Sequence, residues 1–403
     1  MRLVRSHEYR YSDLEPQFRA SDYTHLPSTS RRTLANAAEE QPQDNDRVRQ
    51  RIPQLDALRG IAILVVMLHN ISLKFTAFHL RQLLKDGWMG VDLFFVLSGF
   101  LITGILLDTK PTKGYFKDFC VRRCLRIWPL YYSLMFFMFV ILRFATPSEF
   151  RTVVQQSAPW WAYMLFLQNF IMPVSTNAAG PLAITWSLAI EEQYYLVWPL
   201  VVRLWSPANL RRVALAVICI SPGLRYYLSL RHVNLYTNVF CRLDGLMAGA
   251  FLAVLVRSDK FDPPRYVRRA WLLLIIAALM AVVTEALSAR WIVFSFSALA
   301  SVSFLYLAMF SEQKWLQTTM TNRFLIYTGT VSYGLYLLHK IPFGLVETLH
   351  LDWNPLLPYP IIIITSYILA TLSWVFIEKP FLNLKRFFDP KRSLTVTDNE
   401  TPK

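Results

Sequence analysis

The sequence predicts an all-α fold, a multi-pass integral membrane bundle of about ten transmembrane helices with both termini cytoplasmic. Three observations predict it. Of the 403 residues, 54% are hydrophobic and 17% charged, whereas a soluble domain carries about a quarter charged residues. The apolar residues are gathered into runs of about 18 or more, enough to cross a bilayer. Lysine and arginine then alternate in density from loop to loop, as positive-inside topology requires. Aromatic residues make up 15% of the chain, in keeping with the Trp and Tyr belts of membrane interfaces.

Residues 1–53 have scattered charges, Ser, Gln and Pro and no apolar leader run. They read as a passive, disordered cytoplasmic tail. The domain proper spans 54–388, and 389–403 reads as a second cytoplasmic tail. Within the domain the expected spans are 55–74, 88–108, 127–145, 184–204, 212–230, 238–256, 270–288, 291–311, 325–347 and 357–378. The loop after the second carries Lys110, Lys113, Lys117, Arg122, Arg123 and Arg126, and the loop after the sixth carries Arg257, Lys260, Arg265, Arg268 and Arg269. Both are dense in positive charge, which places them inside. The stretch 158–172 opens with Pro159-Trp160-Trp161, is short for a span, and suits an interfacial or re-entrant segment. The outer segment 146–183 around it is a candidate substrate mouth. No internal repeat of the transporter kind stands out.

A net charge of +15 raises nucleic-acid binding, but the basic residues lie in short loops between apolar runs, where they set topology. Nucleic acid is therefore not an expected partner. The four cysteines, Cys120, Cys124, Cys219 and Cys241, give no disulfide framework. Cys120 and Cys124 stand four apart with no companion pair, so helix packing is their expected role and no metal site is expected.

The chemistry-bearing residues are the ionisable ones inside apolar runs, where charge is costly and usually functional. Arg59 and His69 share the first span, about 15 Å apart along its axis. That places Arg59 near the cytoplasmic surface and His69 near mid-membrane, where an imidazole can accept and return a proton. Asp92 lies near the outer end of the second span and is one candidate partner for His69. Arg123 and Arg126 stand three apart on one helix face and suit phosphate or pyrophosphate. Glu191 and Glu192 sit together in Trp186-Ser187-Leu188-Ala189-Ile190-Glu191-Glu192, with Ser187 and Glu191 on one face. Each has a bland alternative: a buried structural ion pair for Glu191 and Glu192, an interfacial acid or helix cap for Asp92, snorkelling to the inner surface for Arg59, a positive-inside flank for Arg123 and Arg126, and a packed, hydrogen-bonded ring for His69.

Four blocks in order carry a resemblance: Leu55-Asp56-Ala57-Leu58-Arg59-Gly60; Gly90-Val91-Asp92-Leu93-Phe94-Phe95-Val96-Leu97-Ser98-Gly99-Phe100; Trp186-Ser187-Leu188 with Glu191; and Tyr333-Gly334-Leu335-Tyr336-Leu337-Leu338-His339. Together they resemble membrane-bound acyltransferase family 3, which includes bacterial O-acetyltransferases of polysaccharide and peptidoglycan and macrolide acyltransferases. The resemblance covers about residues 52–388. It implies transfer of an acyl group, usually acetyl, from acyl-CoA to a hydroxyl, with a carbohydrate the commonest acceptor and a bacterial inner membrane the commonest setting. It matches the family's essential histidine to His69, its first-helix arginine to Arg59, and its paired arginines to Arg123 and Arg126. In one respect the chain departs from the pattern: nine residues separate Arg59 from His69 instead of ten, and Asn70 holds the expected position. One residue turns a helix by about 100°.

The resulting expectation is an O-acyltransferase. Arg59, Arg123 and Arg126 bind the acyl-CoA donor, which is probed first as acetyl-CoA; His69 is the general base; and Asp92, Glu191 or Glu192 orients it. The competing classes are a transporter or flippase, and a catalytically altered relative. Turnover of acyl-CoA separates the enzyme from both.

Overall fold

The structure, a computed structural model, describes residues 52–75, 84–145, 158–172, 180–351, 354 and 356–388. The tails expected over 1–53 and 389–403 fall outside the described residues, except for Ile52 and Pro53, as do 146–157 and 173–179 of the expected outer segment. The described residues are helical, with no strand among them.

Helix α1 is Pro53–Phe75. A 3-10 turn, Lys85–Trp88, leads into α2, Met89–Thr109. Helix α3 begins at Tyr115 and runs to Phe136, continuing through a π turn, Phe137–Ile141, to Ala145. It therefore starts twelve residues before the expected span, and Arg122, Arg123 and Arg126 lie on a helix rather than in a loop. The expected interfacial segment forms two short helices, Trp160–Met164 and Gln168–Ile171, with both tryptophans exposed. Helices α4 to α8 are Thr185–Leu204, Pro207–Leu230, Leu243–Val256, Pro263–Ala286 and Arg290–Phe310. After a short helix, Lys314–Met320, the chain forms α9, Arg323–Thr330, α10, Ser332–Leu338, and α11, Ile341–Thr348. Helix α12, Pro358–Ser373, passes through a π turn, Trp374–Glu378, to Asn383 and a last 3-10 turn, Leu384–Phe388.

Seven of the described helices are long and apolar enough to cross a membrane, and the chain is an integral membrane protein. Three of the ten expected spans differ. Helix α4 is long enough at 20 residues but carries Glu191, Glu192 and Arg203. Helix α6 has 14 residues, about 21 Å, which is short for a hydrocarbon core of about 30 Å. The expected span 325–347 is broken into α9, α10 and α11. Pro342 accounts for the second break, because it lacks an amide hydrogen and its ring clashes with the carbonyl one turn back.

Glycine lets α2 and α6 cross closely. On α2 a Cβ at Gly99 would lie 1.9 Å from the Leu246 carbonyl oxygen, and on α6 one at Gly249 would lie 2.0 Å from that of Val96. The two backbones touch where side chains would hold them apart, as in small-residue helix contacts generally. Helices α2 and α6 thus form the bundle's centre, and α1, α4 and α8 pack round α2. Helices α5, α7 and α12 present mostly exposed apolar faces, such as Ile275 and Leu279 on α7; these are the surfaces suited to lipid.

Candidate donor cavity and the outlying histidine

The first two helices bring the site together. Helix α1 lays Ala62 and Val66 against Gly90, and Val65 and His69 against Gly87. That contact fixes which face of α1 meets the neighbouring turn. Arg59 points elsewhere, into a cavity of about 110 Å³ lined by α1, α2, α3, α4 and α10.

Four predicted residues meet there: Arg59, Arg123, Arg126 and Glu191 all line the cavity. Arg59 is held by Asp56 one turn earlier, Nη1 to Oδ1 at 2.8 Å. The Arg123 guanidinium lies 5.7 Å over the Phe119 ring and 6.0 Å over that of Tyr195, and its Nε is buried without a hydrogen-bond partner. Glu191 takes two hydroxyl donors, Ser98 at 2.7 Å and Tyr195 at 3.0 Å. One acid therefore faces three arginines while its own oxygens are occupied by neutral hydroxyls, so the cavity keeps an excess of positive charge. Arg59 sits beside Arg126, and such clustered guanidinium groups match phosphate oxygens in pairs.

At the other end of the cavity Ser187 and Tyr336 form a hydroxyl pair, 2.5 Å apart, and Tyr336 donates to the Ile184 carbonyl at 2.9 Å. Phe94 packs edge-on to Tyr336 with ring centroids 5.9 Å apart, closing that end. Tyr333 donates to the Ile127 carbonyl at 2.7 Å and so ties α10 to α3.

The other three predicted residues lie outside the cavity lining. His69 donates Nδ1–H to the carbonyl of Leu84 at 2.9 Å; a carbonyl only accepts, so the ring nitrogen is the donor. None of the three candidate carboxylates orients His69. Asp92 is 2% exposed and is bonded to Arg242, the residue just before α6. The Arg242 guanidinium lies inside an aromatic box, 4.1 Å over Phe294 and 5.4 Å over Tyr236. A second buried pair, Arg225 to Asp244 at 2.9 Å, lies beside it, with Ser295 donating to the same aspartate at 2.8 Å. Asp92 thus sits in a buried ion pair, neither beside His69 nor in the interfacial or capping role weighed for it. Glu192 accepts from the Trp128 indole at 3.4 Å, and its neighbour Glu191 alone reaches the cavity.

Sequence reasoning left out Arg225, Tyr195 and Tyr336. Arg225 carried a signal, as an arginine well inside the apolar run 212–230. The two tyrosines carried none beyond their place in the blocks, because buried tyrosines are common in membrane helices.

Comparison with known proteins adds the family. A family model described as an acyltransferase domain matches residues 52–375. A Staphylococcus aureus (strain COL) protein named "Putative O-acetyltransferase" is 30% identical over 358 residues, 82% of this chain and 57% of that protein. A Bacillus subtilis (strain 168) protein named "Putative peptidoglycan O-acetyltransferase" is 30% identical over 362 residues, 82% of this chain and 54% of that protein. The Listeria monocytogenes peptidoglycan O-acetyltransferase OatA is 27% identical over 380 residues, 85% of this chain and 58% of that protein. The chain thus spans a little over half the length of the curated relatives it matches. No solved structure matches it. With most of its length matched by the family model, the chain belongs to the acyltransferase-domain family.

Proposed function

We propose that the protein is a membrane-bound O-acyltransferase that moves an acetyl group from cytoplasmic acetyl-CoA to a hydroxyl of a carbohydrate. Its setting is a bacterial inner membrane, with ten passes, both termini inside and the tails 1–53 and 389–403 flanking the catalytic domain. The observation that carries this reading is the meeting of Arg59, Arg123 and Arg126 in one cavity at one end of α1, with His69 about 15 Å further along the same helix. The pantetheine arm of CoA, two amide-linked segments as long as an extended peptide of about five residues, spans about 17 Å. Phosphates on the arginines therefore leave the thioester at the level of His69. The carbohydrate acceptor is supported by the relatives named for peptidoglycan.

In this mechanism the Leu84 carbonyl holds the proton of His69 on Nδ1, so Nε2 carries the lone pair. Nε2 takes the proton of the acceptor hydroxyl. The oxygen attacks the thioester carbonyl, the carbon–sulfur bond breaks, and the imidazolium returns its proton to the CoA thiolate. The backbone carbonyl orients the ring, a task a carboxylate performs in other histidine sites. An arginine or a backbone amide balances the oxyanion.

A second reading, a catalytically altered relative, has one observation in its favour. Ten residues carry His69 about 80° round α1 from Arg59, while Asn70 lies only about 20° from it. Asn70 instead donates to the Val66 carbonyl at 3.0 Å. The deciding experiment supplies labelled acetyl-CoA and a set of carbohydrate acceptors to the full chain in nanodiscs. Free CoA with label on an acceptor supports transfer. Bound acetyl-CoA without CoA release favours the altered relative, and acceptor movement without CoA release favours a transporter.

A further inference from the structure

The positive charge of the donor cavity continues beyond its lining. After the last span ends at Asn383, the 3-10 turn Leu384–Phe388 packs back against α3. It carries Lys385, half-buried, and the charged groups around that side chain are Arg126, Arg123 and Arg122. The acid on the preceding π turn, Glu378, is buried; it accepts from Ser373 at 3.0 Å and faces Arg126. A half-buried ammonium packed among guanidinium groups is unfavourable on its own account. A polyanion arriving at this corner would relieve it.

Depth along the bundle says which part of the polyanion. Arg59, Arg123 and Arg126 line the cavity, whereas Lys385 lies outside the lining. Acyl-CoA carries its thioester at one end, its pyrophosphate in the middle and its ribose 3′-phosphate at the other end. With the thioester innermost and the pyrophosphate on the arginines, the 3′-phosphate is the outermost anion. Resting on the acyl-CoA reading above, the geometry points to Lys385 as the contact for the 3′-phosphate, and so as the residue that selects CoA over analogues lacking that group.

The test measures binding of CoA and 3′-dephospho-CoA to the full chain in nanodiscs, for wild type, Lys385→Gln and Lys385→Arg. Wild type is expected to prefer CoA by about tenfold, the size of one charge-assisted phosphate contact. Lys385→Gln lowers CoA binding to the dephospho-CoA level and leaves dephospho-CoA binding unchanged, while Lys385→Arg keeps the preference. Removing the lysine also removes like-charge repulsion, so the Gln variant stays folded, as thermal unfolding will report. Equal loss of both ligands in Lys385→Gln, or no loss of either, overturns the assignment. So does a wild type that binds both ligands equally, which leaves the donor reading standing. A wild type that binds neither ligand overturns the donor reading together with this one.

Discussion

His69 donates its Nδ1 hydrogen to the backbone carbonyl of Leu84, 2.9 Å away. The ring is thus oriented by main chain from the turn that precedes α2, and that turn is seated by Gly87. A Cβ at Gly87 would lie 2.7 Å from the His69 Cβ and 2.7 Å from the Val65 carbonyl oxygen. Gly87→Ala therefore forces the turn off α1 and loosens the His69 bond. The expected result is a kcat lower by about tenfold or more with little change in KM for acyl-CoA, since the arginines are untouched. Steady-state kinetics at varied acyl-CoA check it.

Asp92 and Arg242 behave as a structural pair. Removing one partner leaves the other charged and buried, at a cost of about 3–5 kcal/mol. Asp92→Asn is expected to lower the thermal midpoint sharply and to reduce folded yield. Asp92→Leu with Arg242→Met recovers much of that loss, because an apolar pair needs no compensating charge. A double variant that folds but has lost all transfer would return Asp92 to the catalytic list.

Arg123 and Arg126 bind the donor's pyrophosphate in this account. Arg126→Gln is expected to raise KM for acyl-CoA by roughly tenfold or more, with a smaller effect on kcat. The wild-type affinity for acyl-CoA should fall with added salt, and the variant's should fall less steeply. Isothermal titration at several ionic strengths measures both.

Lys385 gives the site a pH dependence of definite sign. Burial, and then Arg126, Arg123 and Arg122, push its ammonium down to about 6. Below that value the folded and unfolded chains both hold the proton, and the penalty is complete. From there up to the ordinary lysine range near 10.4, the unfolded chain holds a proton that the folded chain lacks, so stability of the free protein rises with pH. Binding of a phosphate reverses the loss: above about pH 6 Lys385 takes up a proton as CoA binds, so CoA affinity falls as pH rises. Titration in two buffers of different ionisation enthalpy reads the uptake, which Lys385→Gln abolishes.

Much of the bundle was legible in the chain because apolar length alone decides most spans. The break of 325–347 was not, because the residues flanking the turns stay largely apolar; the polar pair His339-Lys340 followed by Pro342 was its main mark. The early start of α3 was hidden by its basic residues, which read as a loop until the helix is seen carrying them into the cavity. Among site residues, Arg59, Arg123, Arg126 and Glu191 were legible as costly charges that must find one another. The partners of His69, Asp92 and Glu192 were not, because sequence spacing cannot tell a backbone carbonyl, a distant arginine or an indole from a neighbouring acid.

The account turns on His69 as the base. The direct measurement is CoA release and acetyl transfer by the full chain in nanodiscs, beside His69→Ala, with acetyl-CoA affinity measured for both. The account predicts transfer by wild type, a loss of about 100-fold or more in the variant, and matching affinities. Equal turnover by the two proteins, or no turnover by either with acetyl-CoA bound, would contradict it.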